Sequence, residues 1–223
     1  DRYLPLDYWL ADQRTATGEQ RTVRLADGTV HNLNTHSAVD VRFDARQRLI
    51  VLQAGEIMVE TGHGDARPFI VETAEAQIAL FGSRLLVRQY PRSTYVAALE
   101  GTVQVRPRLS PGDEGLMRLA TGRQTLVSAQ GAEPSVALAP YRLDWLSQVL
   151  RADKMRLDDF IGELDRYRPG LLRCDPAVAG LLISGTFQLR DTDQVLRALS
   201  QTLPVNVHYR TPYWVTLTAR ANT

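Results

Sequence analysis

From Gly18 to about Val127 apolar and polar residues alternate with a period of two, or gather in short β-branched runs. This pattern predicts strands over residues 20–25, 30–33, 39–43, 48–52, 56–60, 69–73, 77–81, 84–88, 95–99 and 102–106. Turn-forming residues stand between them: Asp27-Gly28, Asp44-Ala45, Ala54-Gly55, Gly62-His63-Gly64-Asp65, Gly82-Ser83 and Glu100-Gly101. A glycine after an acidic residue accepts the positive φ of a tight hairpin at low cost. A turn roughly every ten residues marks an all-β domain, and leaves sandwich, barrel and solenoid-like stack open.

The period changes after Trp145. Asp153 is expected to cap a helix that turns Met155, Leu157, Phe160, Ile161 and Leu164 to one side, and Pro169-Gly170 should end it. Residues 171–174 then read as a strand. A second round follows, with a strand at 181–189, a helix capped by Asp191 or Thr192 with Val195, Leu196 and Leu199 inward, a stop at Pro204 and a strand at 205–209. The two helix-stopping prolines lie 35 residues apart, which suggests two tandem β-α-β units closed by a last strand at 213–218. The fold class expected is therefore α+β in two domains. An all-β domain spans 17–127, a small Pro-bearing linker 128–144, and a small α/β domain 145–223, with a lead-in over 1–16.

Composition narrows the function. The 223 residues carry a formal net charge of +1, which gives no reason to invoke nucleic acid or an anionic membrane. All but one of the 26 basic residues are Arg, the exception being Lys154, and acidic residues are interspersed throughout. The single Cys174 permits no internal disulfide and reads as a small core residue. No run of about 20 apolar residues is present to span a membrane. The chain starts at Asp1 and reads as a piece whose anchoring or targeting elements lie upstream.

Site chemistry is sparse. There is no phosphate-binding Gly-Lys-Ser/Thr loop and no Gly-x-Ser-x-Gly elbow. His31 and His36 are expected to be exposed strand histidines, His63 a hairpin tip, and Asp158-Asp159 solvated helix surface. Neither a metal nor a cofactor is called for, and no catalytic residue is assigned. Of Tyr213 and Trp214, alternation predicts one ring inside and one outside.

Several motifs, taken in order, carry a resemblance. They are Thr17-Gly18-Glu19-Gln20-Arg21-x-Val23-x-Leu25-x-Asp27-Gly28-Thr29-Val30-x-x-Leu33-Asn34-x-x-Ser37, Arg48-x-x-x-Leu52-x-x-Gly55-Glu56 and Arg67-Pro68-Phe69-x-Val71-x-Thr73. Gly82-Ser83-x-Leu85-x-Val87, Glu100-Gly101-x-Val103-x-Val105 and Gly122-Arg123-Gln124 continue the series. Together they resemble the periplasmic part of FecR-type anti-sigma factors. The tail, with Trp145, Arg166-Tyr167, Asp175-Pro176, Ser184-Gly185-x-Phe187 and Leu203-Pro204-Val205, is similar to that family's C-terminal module, related to the short secretin and TonB N-terminal (STN) fold.

The resemblance implies a periplasmic region of a single-pass inner-membrane regulator of iron transport. Its partner would be the N-terminal signalling domain of a TonB-dependent siderophore receptor. A sigma factor would be reached only through a cytoplasmic region outside this chain, and periplasmic proteases would process the protein. The free edges of a small sheet suit such docking, which places candidate partner-binding residues at Val205, Val207, His208, Tyr209, Arg210, Tyr213 and Trp214. The family's self-cleaving Gly-Thr aligns with Gly82-Ser83, where serine keeps the hydroxyl. Two other classes stand beside this reading: an envelope- or carbohydrate-binding all-β protein with a secretin-like interaction domain, and a hydrolase whose polar cluster only the fold assembles.

Overall fold

The computed structural model describes residues 6–62, 64–110 and 115–220; His63 lies outside them, as does the side chain of Ser83. The chain divides into two compact units, residues 1–138 and 139–223. Among the described residues no helix is long and apolar enough to cross a membrane.

Among the described residues the first unit has one short helix, α1 (Leu6–Leu10), and its other regular elements are strands. These are β1 (Gln13–Arg14), β2 (Arg21–Arg24), β3 (Val30–Leu33), β4 (Ala38–Phe43), β5 (Arg48–Ala54), β6 (Glu56–Glu60) and β7 (Phe69–Glu72). Two long strands follow, β8 (Ala76–Gln89) and β9 (Thr94–Pro107), then β10 (Met117–Leu119), β11 (Arg123–Val127) and β12 (Val136–Ala137). All twelve belong to one sheet, whose main path runs β1-β4-β5-β7-β8-β6-β3-β2. It encloses a core in which Leu33, Ile50, Ile57, Phe69, Ile78, Leu85, Val96 and Leu119 are fully buried.

Gly82-Ser83 and Glu100-Gly101 are not turns. Each lies inside one 14-residue strand, so four expected strands are two. The β8–β9 register slips between Phe81 and Leu85. On one side of this slip β8 pairs with β7, and on the other with β6. A bulge lets a strand bend and change neighbours, and glycine supplies the unusual backbone without ending the ladder. Turn chemistry and bulge chemistry use the same residue, and alternation alone did not separate them.

The residues of the N-terminal motifs form two buried polar clusters. Arg48, 6% exposed at its side chain, pairs with Asp27 at 2.9 Å and donates to the Arg67 and Asp65 carbonyls. Its guanidinium also lies over the Phe69 ring at 5.2 Å. Asn34 donates to the Glu56 carboxylate at 2.8 Å, and the Ser37 hydroxyl accepts from the Glu56 amide and donates to its carbonyl. Gly55 has φ +87°, and a Cβ there would stand 2.3 Å from Ser37 Oγ, so this close approach requires glycine. The Asp27 carboxyl feels burial pushing it up. The Thr29 hydroxyl and amide, with Arg48, outweigh this and hold it below the ordinary range.

His31 is fully buried, contrary to expectation: Nε2 is 2.6 Å from Gln13 Oε1, and Nδ1 has no partner. Burial pushes it down to about 4. His36 is half-buried, stacked on the Tyr8 ring at 5.0 Å between centroids. His31 is held by Gln13 of β1 and His36 by Tyr8 of α1, contacts that a period-two pattern does not register.

The second unit begins with a 3-10 stretch, Pro140–Ser147, followed by β13 (Val149–Arg156), α2 (Leu157–Asp165) and β14 (Leu171–Cys174). Then come β15 (Leu182–Gln188), α3 (Thr192–Thr202), β16 (Val205–Thr211) and β17 (Trp214–Ala219). Asp153 caps no helix; it lies in β13, beside Lys154 with φ 48° at a register shift, and α2 starts only at Leu157. The apolar residues of α2 are Leu157, Phe160, Ile161 and Leu164, all buried. Asp191 caps α3 by accepting from the Gln194 amide at 2.8 Å. The strand of each helix-containing stretch does not pair with the next strand in sequence. Instead β13 pairs with β15, antiparallel, and a separate three-stranded sheet has the order β14-β17-β16, with β14 parallel to β17.

Candidate partner-binding surface

Among the described residues the order β14-β17-β16 gives β17 a neighbour on both sides and leaves β14 and β16 each with one strand neighbour, so that β16 has an unpaired outer edge. A strand with one neighbour presents a row of N–H and C=O groups that another strand can pair. Of the residues singled out on β16, Val205 is fully buried and its side chain belongs to the core, while Val207 is half-buried. His208, Tyr209 and Arg210 are exposed. The ladder to β17 slips between Tyr209 and Thr211, so Arg210 is the bulged residue and its guanidinium sits 4.8 Å from the centre of the Trp214 ring.

Tyr213 and Trp214 are both exposed, at 63% and 43%. Tyr213 lies in the turn before β17, where strand alternation does not apply. Trp214 pairs with Leu171 and Thr211 on the sheet face opposite to buried Val215 and Leu217.

A buried arginine, which sequence reasoning missed, fixes the hairpin that joins β16 to β17. Arg168, 5% exposed, follows α2 and donates to the Pro212 carbonyl at 2.7 Å, to the Asp193 carboxylate on α3 and to the Thr192 hydroxyl. Its guanidinium lies 5.9 Å from the Tyr209 ring, whose hydroxyl donates to the same Asp193 oxygen at 3.2 Å. Burial, then the Asp193 carboxylate, push the Tyr209 phenol up. Gly170 lets the chain pass close by: with φ +98° its Cβ position is 2.1 Å from the Tyr213 carbonyl, which accepts from the Leu171 amide. The available signal was the Arg-Tyr-Arg-Pro-Gly run at 166–170, but spacing alone does not say which arginine turns inward.

Gly82 is exposed, with φ +57°, at the corner where β8 changes partners. Beside it Arg84 pairs with Glu60 at 3.4 Å and Glu100 at 3.6 Å. Elsewhere, an open cleft of about 650 Å³ beside α1 is lined by Trp9, Arg14, Glu19 and Arg21 among others. There Arg14 already donates to the Trp9 carbonyl and Arg21 pairs with Glu19, so the charges are engaged within the chain. Among the described residues no group of three or more His, Cys, Asp or Glu is placed to hold a metal.

Residues 11–104 match the family described as FecR protein, which bears out the resemblance read from the motifs within that stretch. Two crystal structures of a candidate anti-sigma factor from Parabacteroides distasonis ATCC 8503 are similar in fold. Each aligns with a TM-score of 0.74 at 24% identity, covering 94% of this chain and 99% or 98% of its own. A comparison with curated proteins finds no match.

Proposed function

From a chain that carries a FecR domain over residues 11–104, we propose the signal-receiving region of a periplasmic anti-sigma regulator. It binds the N-terminal signalling domain of a TonB-dependent receptor and relays ferric-siderophore occupancy toward an extracytoplasmic-function sigma factor. The observation that carries this reading is the free edge of β16, with exposed His208, Tyr209 and Arg210, in a small sheet braced by Arg168. Such an edge binds by main-chain pairing, and a specific contact buries roughly 1,200–2,000 Å².

The test is calorimetric titration of the whole chain with the signalling domain of a receptor from the same genome, followed by amide exchange of the complex. Binding with slowed exchange in β16 is expected. No binding, or protection confined to residues 17–127, overturns the reading.

A covalent step is a separate proposal at Gly82-Ser83, supported by the exposed corner. Attack of the Ser83 hydroxyl on the Gly82 carbonyl would move the acyl group from nitrogen to oxygen, and water would then hydrolyse the ester. The products would be a carboxylate at Gly82 and a free amine at Ser83. Intact mass decides it: two fragments divided after Gly82 support cleavage, and a single uncut species refutes it.

A further inference from the structure

The outer face of the three-stranded sheet differs in charge from its surroundings. Strand register sets Arg173, Thr216 and His208 in one row across β14, β17 and β16. The next row holds Leu171 and Trp214, with Arg210 stacked over the indole. Arg173, His208, Arg210 and Trp214 are all exposed, and the three strands contain no Asp or Glu. Among the described residues neither Arg173 nor Arg210 lies within ion-pair distance of a carboxylate, whereas Arg151 and Arg156 of β13 pair with Asp144 and Asp158. Two unneutralised guanidinium groups therefore flank an exposed aromatic ring on one face of the sheet.

We infer that this face docks an acidic segment of a protein partner, with carboxylates on Arg173 and Arg210 and an apolar side chain over Trp214. Guanidinium groups pair carboxylates in a fixed fork, and a neighbouring aromatic ring supplies apolar contact that keeps such pairs partly dry. A chain of net charge only +1 that leaves one face free of carboxylates gains steering toward an acidic partner and rejection of a basic one. The inference deepens the receptor reading, since it gives the chemistry of the partner surface and adds a face to the β16 edge.

The experiment uses the whole chain and a fluorescein-labelled peptide of alternating Glu and Val around a central Phe, read by anisotropy. Its Gln counterpart and vesicles of phosphatidylglycerol are the comparison probes. The Glu peptide is expected to bind, with affinity about tenfold lower for Arg173→Glu/Arg210→Glu. Trp214→Ala should also weaken binding, and raised salt should lower it for the wild type. Both arginines are exposed, so the charge-reversed protein should keep the wild-type melting profile. No binding of the Glu peptide, equal binding by the reversed variant, or preference for the vesicles overturns the inference. A receptor domain that fails to bind while the peptide does so counts against the receptor reading and leaves the acidic-partner face supported.

Discussion

Replacing Arg168 by Ala removes the brace of the β16–β17 hairpin, and the structure allows its cost to be worked out. The Pro212 carbonyl loses a charged donor at 2.7 Å in a site where the arginine is 5% exposed. A hydrogen bond to a charged group contributes about 2 kcal/mol. The Asp193 carboxylate is 49% exposed and returns readily to water, so its pairing adds about 0.5 kcal/mol. Loss of the guanidinium beside the Tyr209 ring adds about 0.5 kcal/mol. The total, about 3 kcal/mol, is a large fraction of the stability of a unit this small. Urea unfolding followed through Trp145 and Trp214 should move its midpoint down by about 2 M for a small domain's denaturant slope. Arg168→Lys should recover only part of the loss, because an ammonium cannot hold Pro212 and Asp193 in a planar fork. A midpoint shift under about 0.5 M, or full recovery by Lys, would show that the brace is not what holds the hairpin.

Other outcomes test the first unit. Gly55→Ala should cost about 3 kcal/mol or abolish folding, because the new methyl meets Ser37 Oγ at 2.3 Å and φ is +87°; circular dichroism melting reads this out. His31 binds a proton less readily folded, at about 4, than unfolded, near 6.5. Its stabilising contribution is whole above about pH 6.5 and is lost as pH falls toward 4, by about 3 kcal/mol at the limit. Urea midpoints across that window should fall for the wild type and flatten for His31→Leu. Asp27 is held below its ordinary range, so its contribution is present above about pH 4 and disappears only as pH falls through the lowered value. Asp27→Asn should therefore weaken the protein at pH 7 and blunt its acid sensitivity, as the same melts would report.

The strands of the first unit were legible as short apolar or β-branched runs. In β7 buried Phe69 and Val71 alternate with half-buried Ile70 and Glu72, whereas β6 buries Glu56 to Val59 on both faces and β3 buries His31. Legibility failed where one backbone signal serves two purposes. Gly82 and Gly101 permit positive φ whether the chain reverses or merely bends, and only the β7-to-β6 exchange of partners distinguishes the two. Asp153 is a good cap by type, but Lys154 takes the left-handed backbone of a bulge instead and donates its amide to Ser184 Oγ at 2.9 Å. The capping preference was local; the cross-strand contact that displaced it lies 30 residues away.

The motif residues and the candidate interface residues carry different kinds of information. Asp27, Asn34, Ser37, Arg48, Gly55 and Glu56 are recognisable because each has a buried partner or close approach that few other residues can satisfy. An unpartnered buried charge or amide costs several kcal/mol, so these identities are tied to the fold and report it strongly. Arg173, His208, Arg210 and Trp214 are exposed, and folding alone would tolerate many replacements there. Their chemistry is set by whatever they touch, so a single sequence marks them faintly. The family match over residues 11–104 spans the first set, while specificity for one partner is expected in the second. Exchanging Arg173 and Arg210 for acidic residues should redirect binding from acidic to basic peptides at unchanged stability, whereas the same exchange at Arg48 should abolish folding. If charge reversal at the exposed pair destabilised the protein as much as reversal at Arg48, the division between scaffold and surface would not hold.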